Sequence, residues 1–308
     1  MKKRGAYILF FLIAVLMVVL LRTFVCSPYS IPSQGMENSL WHGDRILVNK
    51  WSYGLRLPQL SIFPYHRWCT RRVHKEDIVV FNNPANTQKK NIASKEVFIN
   101  RCTGVAGDTI WVDSLYQYFN PGSSNPDQMR LYSYPRTHAD KLDSIIHKLQ
   151  LTPVIKLGED SLNYFSSFSQ YEHYLITQEL GNKSCLKLAK PQRKTYTLNV
   201  PPQKVKVEVK PWNITLLKNT LILHEQKKAE IRNDSLFVDS QWIKECSFSK
   251  DYYWMSSNHS LNPSDSRVFG FVPHDHIIGK AFFVWFSKEP NANPFKGYRW
   301  NRFFKQVR

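Results

Sequence analysis

The chain opens Met-Lys-Lys-Arg-Gly and then carries no charged residue from Ala6 to Leu21. As a helix rising ~1.5 Å per residue, this run covers about 24 Å, and continued to Val25 it spans the ~30 Å of a bilayer core, with Arg22 snorkelling. Residues 1–5 then form a cytoplasmic end, residues 6–25 a single transmembrane anchor, and everything after Cys26 lies outside. The competing reading is a cleaved secretory leader. Residues 23–26 offer no small-x-small site, and Phe24-Val25-Cys26 is a poor lipoprotein signal, so the expectation is a retained anchor.

Beyond the anchor, 14% aromatic residues and seventeen prolines favour strands and turns over a helical bundle. The formal charge of +18 suits nucleic acid, an anionic membrane surface or plain solvation. No zinc-finger, helix-turn-helix or RNA-binding signature is present, so nucleic acid is set aside and membrane lipids are the natural partner. The five cysteines show neither CxxC nor metal-ligand spacing; no metal or cofactor is expected, and their pairing stays open.

Residues 77–81 (DIVVF) and 279–286 (GKAFFVWF) read as buried strands, and 204–210 (KVKVEVK) as a half-exposed one with Val205, Val207 and Val209 on one face. Residues 229–238 read as a hairpin turning at Asn233-Asp234. Residues 138–149 and 165–180 read as short amphipathic helices. The loop 59–70, with Ile62, Phe63, Tyr65 and Trp68, is either a packed surface loop or an edge facing lipid head groups. Tyr171, His173, Tyr174 and the basic tract 187–194 read as structural surface with solvated charge.

Three further stretches carry chemistry. Residues 31–58 contain Pro32, Ser33, Met36, Leu40, Gly43, Asp44, Val48, Lys50, Tyr53, Gly54, Arg56 and Pro58. Residues 96–108 contain Arg101, Gly104, Gly107 and Asp108. Residues 252–273 contain Met255, Asn258, Asp265, Ser266, Arg267, Gly270, Phe271, Val272 and Pro273. In this order behind an anchor, they resemble the motifs of bacterial type I signal peptidases (leader peptidases). The resemblance implies a mainly β fold of twisted antiparallel sheets of the signal peptidase type, with one N-terminal transmembrane helix and a long α+β insert. It places the core at 27–112 and 251–308, the insert at 113–250, and the molecule in the bacterial cytoplasmic membrane with its main domain outside. It also implies a role in protein secretion, through a serine nucleophile and a lysine general base.

Both catalytic positions depart from that pattern. The nucleophile position is Gly35, which has no side chain to attack a carbonyl. The base position is Asn100, whose amide has no usable protonation change. The serine that contacts the base in the family is Pro263 here, and Asn258 to Asp265 is one residue longer. The site scaffold is retained: Ser33, Met36, Arg101, Asp265, Ser266 and Arg267. On an extended strand Asp265 and Arg267 would share a face and hold each other and Arg101 by ion pairing. One reading is therefore a pseudoenzyme that binds secretory signal peptides, preproteins or an active signal peptidase. The other is an active serine endopeptidase with a relocated dyad, Ser33 with His259 or Lys50. On an extended chain the Ser33 hydroxyl would lie ~6–7 Å from the required place. Lys50 matches a lysine the family has besides its base, Lys95 is at an odd offset from Asn100, and Ser39 has no geometric claim.

Overall fold

Strands form where β-branched and aromatic residues cluster, and most of the core motifs lie on a single sheet. The computed structural model describes residues 2–57, 66–89, 91–113, 118–119, 129–149, 151, 156–181, 185–189, 195–258 and 264–307. The main sheet comprises β1 (Cys26–Ser30), β2 (Asp44–Asn49), β3 (Ile78–Asn82), β4 (Val97–Gly104), β5 (Tyr252–Ser256), β6 (Val272–Pro273), β7 (Ile277–Ser287) and β8 (Lys305–Gln306). Their order is β1-β2-β7-β3-β4-β5-β6, with β8 also on β7. Every one of these pairings is antiparallel. The mainly β, antiparallel architecture is the expected one.

β3 is buried along its whole length, as the run at 77–81 implies. Ile78 and Val80 join Ile31, Met36, Leu40 and Ile46 in one core cluster. Val79 and Phe81 join Tyr53, Cys102, Tyr253 and Met255 in another. Successive side chains point to opposite faces, so the sheet is covered on both sides. The first cluster fastens the loop between β1 and β2, because Ile31, Met36 and Leu40 are its buried apolar side chains, each worth ~1.5–3 kcal/mol of burial. Backbone bonds from Ile31 N to Asp44 O (2.9 Å) and from Gly43 N to Ile31 O (3.0 Å) close the loop. Gly43 is required there: its φ is +90°, and a Cβ would sit 1.9 Å from the Lys288 carbonyl oxygen. Asp44, fully buried, accepts from Trp41 N (2.8 Å) and from Arg302 Nη2 (2.6 Å), and Arg302 Nη2 also reaches the Ser39 carbonyl at 3.1 Å.

At the other end of β1 stands α1 (Lys2–Leu20), followed by a π-helical turn, Leu21–Val25, that runs directly into β1. It is the one helix among the described residues long and apolar enough to cross a membrane, over Tyr7–Val25 with mean hydropathy 2.9 and no part buried in the protein. Lys50 Nζ donates to the carbonyls of Arg22 (2.9 Å) and Thr23 (3.0 Å), satisfying groups that a helix end leaves open.

Between β4 and β5 the chain forms α2 (Ala139–Lys148), α3 (Gln170–Leu180), α4 (Ile214–Glu225) and several short sheets. The helix expected at 138–149 is α2, and the hairpin turns at Asn233-Asp234, both left-handed, between Ala229–Arg232 and Ser235–Val238. The helix expected at 165–180 needs correcting. Asn163–Ser169 is a strand paired with Met129–Pro135, and the helix starts only after Ser169, which caps it in a reciprocal box with Glu172. Phe165 and Phe168 mimic helical spacing in a segment that strand pairing claims. The strand at 204–210 shrinks to Lys206–Glu208: Val207 is buried but Val205 is 53% exposed, beyond a left-handed Lys204. β7 is longer than 279–286 and is not buried throughout: Ala281 and Val284 are buried, but Phe282 is exposed. Of the aromatic loop, residues 58–65 lie outside the described residues; Trp68 is exposed on a short strand. Tyr171 and Tyr174 are exposed, His173 stacks on Tyr132, and residues 190–194 lie outside the described residues.

Two clusters organise this middle region. One gathers Tyr132, Leu142, Phe168, Ile176 and Leu186 without side chains from the main sheet. The other joins Leu198, Val207, Leu217 and Leu236 to Tyr252, Trp254 and Phe271 of the core motif. Breaking a buried ion pair from one side costs ~3–5 kcal/mol, so Arg302→Ala should lower the unfolding free energy by about that amount, while Lys305→Ala, at an exposed position, leaves it unchanged. Thermal and denaturant unfolding of the detergent-solubilised chain checks this.

Candidate functional site

Met36 and Leu40 point into the core, so the residues around them are held at the rim of the sheet. Glu37 N bonds to Gln34 O (3.0 Å), Leu40 N to Met36 O (2.7 Å), and Asn38 takes a left-handed φ of 73°. Gly35 lies on this turn with no left-handed φ. Among the described residues, a Cβ built at Gly35 would meet only Ser33 Oγ and Ser257 Cβ, each at 3.8 Å, which is ordinary contact. The backbone therefore does not demand glycine, and the position has room for a side chain.

That geometry corrects the placing of Ser33. The chain curls through a turn instead of running extended, and this brings Ser33 Oγ to within 3.8 Å of the Cβ position at residue 35. Among the described residues, no lysine amine or imidazole is hydrogen-bonded to it. Lys50 sits at the far end of the β1–β2 ladder, where Cys26 pairs with Asn49, whereas Ser33 follows the end where Ser30 pairs with Arg45. Its amine is committed to the α1 terminus. His259 and Pro263 lie outside the described residues. Lys95 precedes β4 instead of belonging to it, and its amine is 3.4 Å from His276 Nε2.

Asn100 and Arg101 are consecutive on β4 and so take opposite faces. Asn100 is buried and its Nδ2 donates to the Ser264 carbonyl at 2.8 Å. Arg101 turns to the face of the Met36 cluster: Nη2 donates to Ser39 Oγ (2.7 Å), Nη1 to the Glu76 carbonyl (3.0 Å), and the Glu76 carboxylate is 3.7 Å away. The expected grouping of Arg101 with Asp265 and Arg267 is thus corrected. Asp265 is not on an extended strand; it caps a short helix, Ser266–Phe269, and Arg267 reaches back to it through N (3.0 Å), Nε (2.9 Å) and Nη2 (2.7 Å). The Asp265–Arg267 pair itself is present, with Asp265 fully buried. Ser266 Oγ accepts from Met255 N at 2.8 Å, pinning the short helix to β5.

Three residues outside the expected scaffold complete the arrangement. Ser257 donates to Asp265 Oδ2 through both N (2.9 Å) and Oγ (2.8 Å), and its Cβ faces the space at Gly35. Asn258 Nδ2 donates to the Glu37 carbonyl (3.1 Å) and Ser39 Oγ (2.9 Å), tying the turn to the end of β5. Ser39, which sequence spacing dismisses, is the meeting point of Arg101 and Asn258. The motif position of Asn258 and its two N–H donors were the signal that could have found it. The middle region also adjoins the site: Met129 N bonds to the Asn258 carbonyl at 3.3 Å. The Glu37 carboxyl is held above its ordinary range first by burial and then by the like charge of Glu172 on α3, with Arg299 opposing.

A family model for signal peptidase, peptidase S26, matches residues 4–150 and 197–286, more than half of the chain. The chain belongs to that family. Signal peptidase I of Pseudomonas fluorescens is 30% identical over 280 residues, covering 88% of this chain and 68% of the relative. Signal peptidase I of Buchnera aphidicola subsp. Baizongia pistaciae is 27% identical over 275 residues, covering 88% and 73%. That of Haemophilus influenzae is 25% identical over 296 residues, covering 94% and 72%. The resemblance carried by the three motifs is thereby established, and this peptidase S26 chain is signal-peptidase-like in function.

Two outcomes follow for its site. Asp265→Ala removes the buried carboxylate to which the Arg267 guanidinium and the Ser257 donors bond, and should cost about 3–5 kcal/mol in unfolding experiments. Glu37 has a folded pKa raised above its unfolded value, so its ionised form burdens the folded state: stability is fully present below the unfolded value near 4.5 and falls as pH rises through the folded pKa. Glu37→Gln should therefore raise the melting temperature at pH 7 and leave it unchanged at pH 4.

Proposed function

We propose that this chain is a membrane-anchored signal-peptidase-type module that holds secretory signal peptides or preproteins without cutting them. The observation that carries the reading is the state of the two catalytic positions. Position 35 has space for a side chain and supplies none, while at position 100 a neutral amide is spent on the Ser264 carbonyl. Removing a nucleophile or base from a serine protease costs on the order of 10⁶ in kcat, and losing both adds little further. The turn, the buried Asp265–Arg267 pair and the Asn258 tie are independent of that chemistry. They keep a groove in which an extended peptide pairs by backbone hydrogen bonds, its small side chains filling shallow pockets. The basic N-terminus stays in the bacterial cytoplasm, α1 spans the membrane, and the sheet faces outward. An active signal peptidase is a second candidate partner of the same surface. In the same proposal, 27–112 and 251–308 form the core and 113–250 the insert.

Ser33 Oγ supports a second reading, an active endopeptidase with a displaced nucleophile, because it stands beside the empty position. Against this, Lys50 is engaged at the helix end. One assay separates the two. Wild-type protein in detergent, incubated at length with a signal-peptide substrate, should bind it and leave it intact. Gly35→Ser together with Asn100→Lys should recover slow cleavage, and either change alone none. Cleavage by the wild type that disappears in Ser33→Ala would overturn the proposal in favour of the displaced nucleophile.

A further inference from the structure

Where the π turn after α1 enters the sheet, a cavity of ≈ 310 Å³ opens, lined among others by Arg22, Ser27, Tyr29, Lys50, Arg56 and Asn82. Three of these are cationic, and no carboxylate is among the described residues that line it. Neutral groups hold the cations in place: Lys50 reaches the Arg22 and Thr23 carbonyls, and Arg56 Nη1 reaches Asn82 Oδ1 at 2.7 Å. These bonds orient the groups toward the cavity wall. The crowding is felt by Lys50, whose amine is pushed below its ordinary range by burial and then by Arg56 and Arg22. The cavity also has a definite depth. Arg22 lies within the apolar span Tyr7–Val25, close to its outer end, so the cavity opens where hydrocarbon gives way to head groups.

We propose that this cavity is a phosphate-binding site, filled by the phosphodiester of an anionic phospholipid head group or by free phosphate of the same chemistry. A guanidinium offers paired N–H donors that match two phosphate oxygens, and an ammonium beside it adds a point charge. Basic pockets next to membrane-spanning helices take lipid head groups in this way. The lipid source rests on the membrane-anchor reading; the phosphate chemistry of the cavity does not, and neither depends on whether substrate is cleaved.

The test is calorimetric titration of the full chain in dodecyl maltoside with dioctanoyl phosphatidylglycerol and, separately, with inorganic phosphate. Ala93 is an exposed lining residue on the turn Ile92–Ser94, so Ala93→Glu adds a carboxylate to the wall without touching the bonds described. Wild type should bind saturably, and Ala93→Glu and Arg56→Gln should each weaken binding about 10-fold or more, whereas Ala93→Gln binds as wild type. Saturation by the lipid alone identifies the head group as the source; saturation by both, with competition, identifies the phosphate itself. No saturable binding of either, or equal weakening by Ala93→Gln and Ala93→Glu, overturns the proposal.

Discussion

The candidate site depends on one buried anion. Asp265 is cut off from solvent, and a carboxylate in that position is tolerable only if its lone pairs are filled. Arg267 and Ser257 fill them, and in doing so they fix the start of the short helix, the end of β5 and the segment that presents the Ser264 carbonyl to Asn100. Ser257 also forms one wall of the space at Gly35. The arrangement is held by electrostatics and backbone capping, none of which needs a nucleophile. On the function proposed above, this is why the chain can keep the shape of the site without its reacting groups.

A second system secures the turn from outside. Asp44 and Arg302 pair in the interior, Arg302 continues to the Ser39 carbonyl, and Arg299 Nη1 holds the His42 carbonyl at 2.9 Å. The C-terminal segment thus acts as a brace across the β1–β2 loop. Met129 on its strand and Glu172 on α3 also come close to the turn. α3 falls within 151–196, which the family match passes over, so part of the surroundings of the turn comes from outside the matched residues.

How much of this could be read from the residues differs by the range of the interaction. The apolar N-terminal helix, the buried β3 and the Asn233-Asp234 hairpin are local patterns of apolarity or turn chemistry, and all were legible. The three motifs were legible as well, since the residues that cap, kink and pair within them are close together in the chain. The partner of Arg101 was not, because spacing shows which face a side chain takes only where the chain is known to be extended, and Asp265 begins a helical turn. The same assumption misplaced Ser33, whose loop curls. Nor could the Asp44–Arg302 pair be read, since 258 positions separate its members and many other cations were available. Phe165 and Phe168 misled for a related reason: their spacing fits a helix, but the strand at Met129–Pro135 offers that segment a ladder.

The passage from Val25 into β1 has a mechanical meaning. The apolar span ends at Val25 and the first strand begins at Cys26, with no linker between them. β1 has five residues, so at ~3.3 Å per residue the turn that begins at Ile31, six steps beyond Val25, stands at most about 20 Å above the end of the span. The strand is a ruler and not a tether. On the function proposed above, the turn carried on such a ruler is held at one level over the bilayer, and a signal peptide would have to meet it at that height.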